Sequence, residues 1–123
     1  MKLLSRLLAP LAVAFAVVFG VAACAPTAEA IDVTSDTVII DVRTPAEYAG
    51  GHLDGAVNID VQSPEFDALV SELPTDGEYV VYCRSGNRSA AAIDRMETLG
   101  FTSLVNAGGV DAASSATGVP IVK

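Results

Sequence analysis

The stretch Tyr79-Val80-Val81-Tyr82-Cys83-Arg84-Ser85-Gly86-Asn87-Arg88-Ser89-Ala90-Ala91-Ala92-Ile93 decides the fold. Its first five residues are apolar, β-branched or aromatic with no polar alternation, the pattern of a short strand buried on both faces. After the polar segment, Ala92, Ile93, Met96 and Leu99 recur at helical spacing, Asp94, Arg95 and Glu97 take the outer face, and Gly100 ends the run. The helix is expected to begin near Arg88 or Ser89. A buried strand that runs through a short loop into an amphipathic helix is half of a βαβ unit.

Outward from it the same pattern repeats. Val38-Ile39-Ile40-Asp41-Val42 reads as a second buried strand, and Ala56 to Ile59 and Ser103 to Val105 as shorter ones. Thr44-Pro45-Ala46-Glu47 has the capping-box spacing with proline at the first helical position, and Gly50-Gly51 stops that helix after one or two turns. Ser63-Pro64 opens another, with Phe66, Leu69, Val70 and Leu73 on one face and Pro74 beyond its end. The predicted order is βαβαβαβ, an α/β fold whose small, mostly parallel sheet is flanked by helices on both faces. Asp111 to Gly118, rich in Ala and Ser, is assigned no element.

A length of 123 residues fits one compact domain. Residues 1–23 read separately. Lys2 and Arg6 precede an apolar run of 17 residues from Leu7 to Ala23, the charged start and apolar middle of a secretory signal peptide. The run ends in Val21-Ala22-Ala23-Cys24, which resembles the site where a bacterial lipoprotein is cleaved and lipidated, so Cys24 is expected to become a lipid-bearing N-terminus. An uncleaved membrane anchor is the competing reading, and both place the rest of the chain outside the cytoplasm. Residues 24–36 then form a tether, and residues 37–123 the folded domain. Without the first 23 residues, five of the seven basic side chains remain against all fifteen acidic ones, a net charge of about −10. That balance argues against nucleic acid as a partner. Two cysteines also exclude a multi-disulfide scaffold or an all-thiolate zinc site, and neither a metal nor a cofactor is expected. The domain is expected to act as a monomer.

In open parallel sheets ligands bind beyond the carboxyl ends of the strands. Cys83 falls there, facing the N-terminus of the next helix, where unpaired backbone N–H groups and the helix dipole favour an anion. Cysteines so placed titrate at roughly 3.5 to 7.5 instead of about 8.5, and Arg84 and Arg88 are expected to push in the same direction. Cys83 is therefore expected to be a thiolate at neutral pH, within reach of a small donor. The acidic surface does not cancel the loop. An arginine about 4 Å from an anion contributes about 4 kcal/mol at an effective dielectric near 20, whereas carboxylates beyond about 8 Å are largely screened.

Asp41-Val42-Arg43, Glu47-Tyr48, Gly51-His52-Leu53-Asp54-Gly55-Ala56-Val57-Asn58-Ile59, the cysteine loop and Asn106-Ala107-Gly108-Gly109 together resemble the successive signatures of the rhodanese domain over about Val38 to Gly109. The resemblance implies a sulfurtransferase: Cys83 attacks the outer sulfur of thiosulfate or a similar small anionic donor, holds it as a persulfide, and passes it to a thiol acceptor. Backbone N–H groups of Arg84, Ser85, Gly86, Asn87, Arg88 and Ser89 would cradle the sulfur and the departing anion, with Arg84 the better placed side chain for substrate. Arg88 would either bind substrate or hold the loop through backbone carbonyls. Asp41, Arg43 and Glu47 are expected to be a structural ion-pair and hydrogen-bond set, and His52 to be structural. Related phosphatases use a loop one residue longer, so the six residues from Cys83 to Arg88 favour sulfur over phosphate or arsenate. A carrier module that loads once and serves one protein partner is the alternative. The chain departs from the family in having Val110 and Asp111, and no tryptophan, after its paired glycines.

Overall fold

A computed structural model describes residues 29–123. The elements, in chain order, are β1 (Thr37–Asp41), α1 (Pro45–Ala49), β2 (His52–Leu53), β3 (Val57–Asn58), α2 (Phe66–Val70), β4 (Glu78–Tyr82), α3 (Asn87–Thr98), β5 (Ser103–Gly108), α4 (Val110–Thr117) and β6 (Ile121–Val122). The main sheet has the order β3-β1-β4-β5, and every pairing in it is parallel. Strands β2 and β6 form a separate antiparallel pair.

Because β1 and β4 are central, their alternate residues enter two cores. Ile40, Val42, Tyr79, Val81 and Cys83 pack on one face with Phe66 and Val70 of α2 and Ala92 and Met96 of α3. On the opposite face Ile39, Val80 and Tyr82 pack with Leu53, Tyr48 of α1 and Ala113 of α4. The continuous apolar runs are thus explained by helices on both sides of the sheet.

Three local readings need correction, and one unassigned stretch is an element. Leu69 is 40% and Leu99 37% exposed, because α2 ends one residue past Leu69 and Leu99 is the C-cap of α3. Arg95 is half-buried instead of lying on an open face: it pairs with Asp67 at 2.7 Å and stands over the Phe66 ring at 5.0 Å. The helix expected from Ser63-Pro64 starts only at Phe66, since Ser63 Oγ accepts from Glu65 N–H in a preceding turn. Asp111 to Gly118 is almost wholly helical, with small buried Ala113 and Ala116 in place of the large apolar residues that mark a helix in sequence. The signal segment 1–23 and Cys24 lie outside the described residues. Within the tether, Ile31 N–H donates to Ala116 O at 2.9 Å and Ile31 and Val33 pack on the second core, so packing begins before β1.

Candidate active site

Strand β4 delivers Cys83 to the carboxyl edge of the sheet, and Gly86 turns the chain into α3. At Gly86 φ is 95°, a left-handed conformation that a side chain would strain. This turn aims the Gly86 N–H at Cys83 Sγ, 2.9 Å away, while Ser89 Oγ lies 3.5 Å from the same sulfur. Burial by itself raises the thiol. Hydrogen bonds from the Ser89 hydroxyl and from the backbone N–H groups of Ser89, Ser85 and Gly86 outweigh it, and the thiol falls below its ordinary value. The expected direction is present, but it comes mainly from hydrogen bonds, with the Coulombic attraction of Arg88 the smaller part. Cys83 itself is 0% exposed, which contradicts the expectation of a sulfur open to a small donor.

The predicted support residues divide into two units. Asp41 is fully buried and receives Arg43 Nη2 at 2.6 Å, Arg43 Nε at 3.0 and 3.1 Å, and the Tyr82 hydroxyl at 2.8 Å. Arg43 also donates to Gly51 O at 2.6 Å, tying the α1–β2 turn to the sheet. Glu47 belongs elsewhere: both of its carboxylate oxygens receive Arg88, at 2.8 and 2.9 Å. Arg88 therefore binds a carboxylate, which is neither of the two roles expected of it, substrate binding or a hold on backbone carbonyls. The pairing with Arg88 holds the Glu47 carboxyl down at about 2 against the burial that would raise it, and Thr44 of the capping box adds to the effect. Since the folded value lies below the ordinary 4.5, the stabilisation is complete above pH 4.5 and is lost as pH falls towards 2. The pair is partly exposed, so about 1 kcal/mol is expected. Urea midpoints of wild type and Glu47→Gln should differ at pH 6 and converge near pH 2, and a gap that persists at pH 2 would contradict this assignment.

A cleft of ≈ 390 Å³ lies beside the loop, lined by Arg84, Arg43, Glu47, Gly51, Val110 and Asp111 among others. Arg43 and Arg88 are each held by a carboxylate, which leaves Arg84 without an ion pair among the described residues. Arg84, Ser85 and Asn87 are exposed, whereas Ser89 is fully buried. His52 stacks on Tyr48 at 3.7 Å and its Nδ1 lies 2.8 Å from Tyr48 O, a packing role away from the sulfur.

Asn106, cited at first only as part of a motif, proves to be the residue that joins the loop to β5. Its Oδ1 accepts from the Ser89 hydroxyl at 2.8 Å and from Gly108 N–H at 2.9 Å, and its Nδ2 donates to Gly86 O at 3.2 Å. Gly108 O in turn accepts the Cys83 N–H at 2.9 Å. Beside it, a Cβ on Gly109 would stand 2.5 Å from Arg84 O, so only glycine allows the loop to close on this turn. Polar Asn-x-Gly-Gly after a strand was the available signal, since that composition marks a tight turn at the sheet edge where ligands bind.

The comparisons with known proteins agree with this geometry. Residues 27–116 match the family model of the rhodanese-like domain. A sulfurtransferase of Allochromatium vinosum is 36% identical over 89 residues, covering 72% of this chain and 81% of that one. Thiosulfate sulfurtransferase PspE of Escherichia coli is 35% identical over 72 residues, 58% of this chain and 68% of that one. Among solved structures, a rhodanese with anions from E. coli superposes with a TM-score of 0.58 at 30% identity, covering 71% of this chain and 98% of the other. Sheet order, cysteine loop and sequence likeness thus agree, and the chain belongs to the rhodanese-like domain family.

Proposed function

We propose that the protein is a thiosulfate sulfurtransferase working through a persulfide on Cys83. The observation that carries this reading is the sulfur at the end of β4, accepting the Gly86 N–H at 2.9 Å beside the N-terminus of α3. The thiolate attacks the outer sulfur of thiosulfate, the donor S–S bond breaks, and its electron pair leaves with sulfite. An acceptor nucleophile then takes the outer sulfur and the pair returns to Cys83. Arg84 binds the anionic donor at the cleft. Because Cys83 is fully buried, loading includes a local opening of the loop. Incubation with thiosulfate should add one sulfur atom to the Cys83 peptide, and cyanide should remove it. An unchanged mass would contradict the proposal.

Arg84 shares its cleft with Asp111, which lies in the first turn of α4. A carboxylate there opposes a dianionic donor, so Asp111→Asn should lower the KM for thiosulfate about two- to fivefold with little change in kcat, less at high salt. Steady-state kinetics at two ionic strengths check this; an unaltered KM would remove Asp111 from the donor path.

The burial of Cys83 also favours a second reading, a carrier that opens only for one protein partner. Many turnovers with thiosulfate and cyanide would decide for the enzyme, and a single loading without turnover for the carrier. The anchoring of the domain outside the cytoplasm through a lipid on Cys24 belongs to the same proposal. Radiolabelled fatty acid incorporated by the wild type but not by Cys24→Ala would support it, and equal label in both would overturn it.

A further inference from the structure

The Ser89 hydroxyl has one proton and three acceptors within reach: Asn106 Oδ1 at 2.8 Å, Gly86 O at 3.0 Å and Cys83 Sγ at 3.5 Å. Neither oxygen depends on it. Asn106 Oδ1 also holds the Gly108 N–H at 2.9 Å, and Gly86 O holds the Ala90 N–H at 3.1 Å and Asn106 Nδ2 at 3.2 Å. When the hydroxyl turns to the sulfur, no buried acceptor is left unpaired, so the turn carries no such penalty. What decides its direction is charge on Sγ. A thiolate is a strong, charge-assisted acceptor, whereas a thiol or the inner sulfur of a persulfide is a weak one.

We propose that Asn106 is a positioning residue acting on Cys83 through Ser89, and that the pair serves discharge of the persulfide more than its loading. This rests on the persulfide reading above. In loading, Sγ gives its electron pair to the incoming sulfur and loses its negative charge, so the Ser89 hydrogen bond must be relinquished to Asn106. In discharge, cyanide attacks the outer sulfur, the Sγ–S bond breaks, thiocyanate leaves, and the pair returns to Sγ as a thiolate. The hydroxyl then swings from Asn106 to the sulfur as charge grows, and lowers that barrier. Asn106 holds Ser89 Oγ within reach and occupies Gly86 O, which would otherwise compete for the proton.

The test is single-turnover kinetics on the full-length protein, with thiosulfate for loading and cyanide for discharge, in wild type, Ser89→Ala, Asn106→Ala, the double variant and Ser89→Thr. Rate constants do not depend on the folded fraction, so a partly unfolded variant still reports. Ser89→Ala should slow discharge roughly tenfold and loading by less, and raise the pH midpoint of Cys83. Asn106→Ala should slow discharge severalfold, the double variant should be no slower than Ser89→Ala, and Ser89→Thr, which keeps the hydroxyl, should lose less of the discharge rate than Ser89→Ala. Equal losses in both half-reactions, or effects of the two single changes that multiply in the double variant, would overturn the proposal. A wild type that takes up no sulfur at all would instead defeat the persulfide reading.

Discussion

Replacing Cys83 by serine should abolish sulfur uptake while leaving the domain folded. The serine hydroxyl is nearly isosteric with the thiol it replaces and still finds the Gly86 N–H and the Ser89 hydroxyl as partners, so no buried polar group is orphaned. Its melting transition is therefore expected within about 1 kcal/mol of the wild type. An alcohol, unlike a thiol, is not ionised near neutral pH by such a loop, and sulfur transfer should fall on the order of a thousandfold or more. Thiocyanate formation from thiosulfate and cyanide measures the loss. Activity retained in Cys83→Ser would place the chemistry on another residue.

The second large effect concerns stability. Asp41→Ala removes the only ion-pair partner that Arg43, 6% exposed, has among the described residues, and takes the acceptor from the Tyr82 hydroxyl and from the Arg43 backbone N–H. A buried guanidinium left unpaired costs about 3 to 5 kcal/mol, a large share of the stability of a domain this small. The site should suffer indirectly, since Arg43 also ties Gly51 at the cleft. Chemical denaturation of wild type and Asp41→Ala tests this, and a loss below 1 kcal/mol would show that water or another acceptor replaces the carboxylate.

The parts of the fold that could be read from sequence were those whose residues carry their own pattern. Val38 to Val42 and Tyr79 to Cys83 are apolar at every position but one because both faces of their strands are covered, and Thr44 to Glu47 contains its own cap. Helix α4 escaped because Ala113 and Ala116 bury little side chain and leave no hydrophobic periodicity. The two-residue strands β2 and β6 are too short to have any. At the site, strand, loop and helix are contiguous, so the position of Cys83 could be inferred. The partners of the loop could not: Glu47 meets Arg88 from 41 residues away, and Asn106 reaches Ser89 and Gly86 from the neighbouring strand β5, 17 and 20 residues away. No local spacing encodes a contact between elements.

The same limit explains the arginines. Sequence proximity put Arg84 and Arg88 together beside the sulfur, yet Arg88 is claimed by Glu47, and the depressed thiol owes more to hydrogen bonds than to either charge. Burial works against the thiolate, so the loop succeeds only if its donors exceed that penalty.

Ultraviolet titration of the thiolate, taken as the difference between wild type and Cys83→Ser so that Cys24 cancels, measures that balance without requiring a reagent to reach the sulfur. The predicted midpoint lies below that of an ordinary thiol, about 8.5, because the hydrogen bonds to Sγ outweigh burial. A midpoint at or above about 8.5 would mean that burial wins, and the proposed chemistry of Cys83 would have no activated nucleophile.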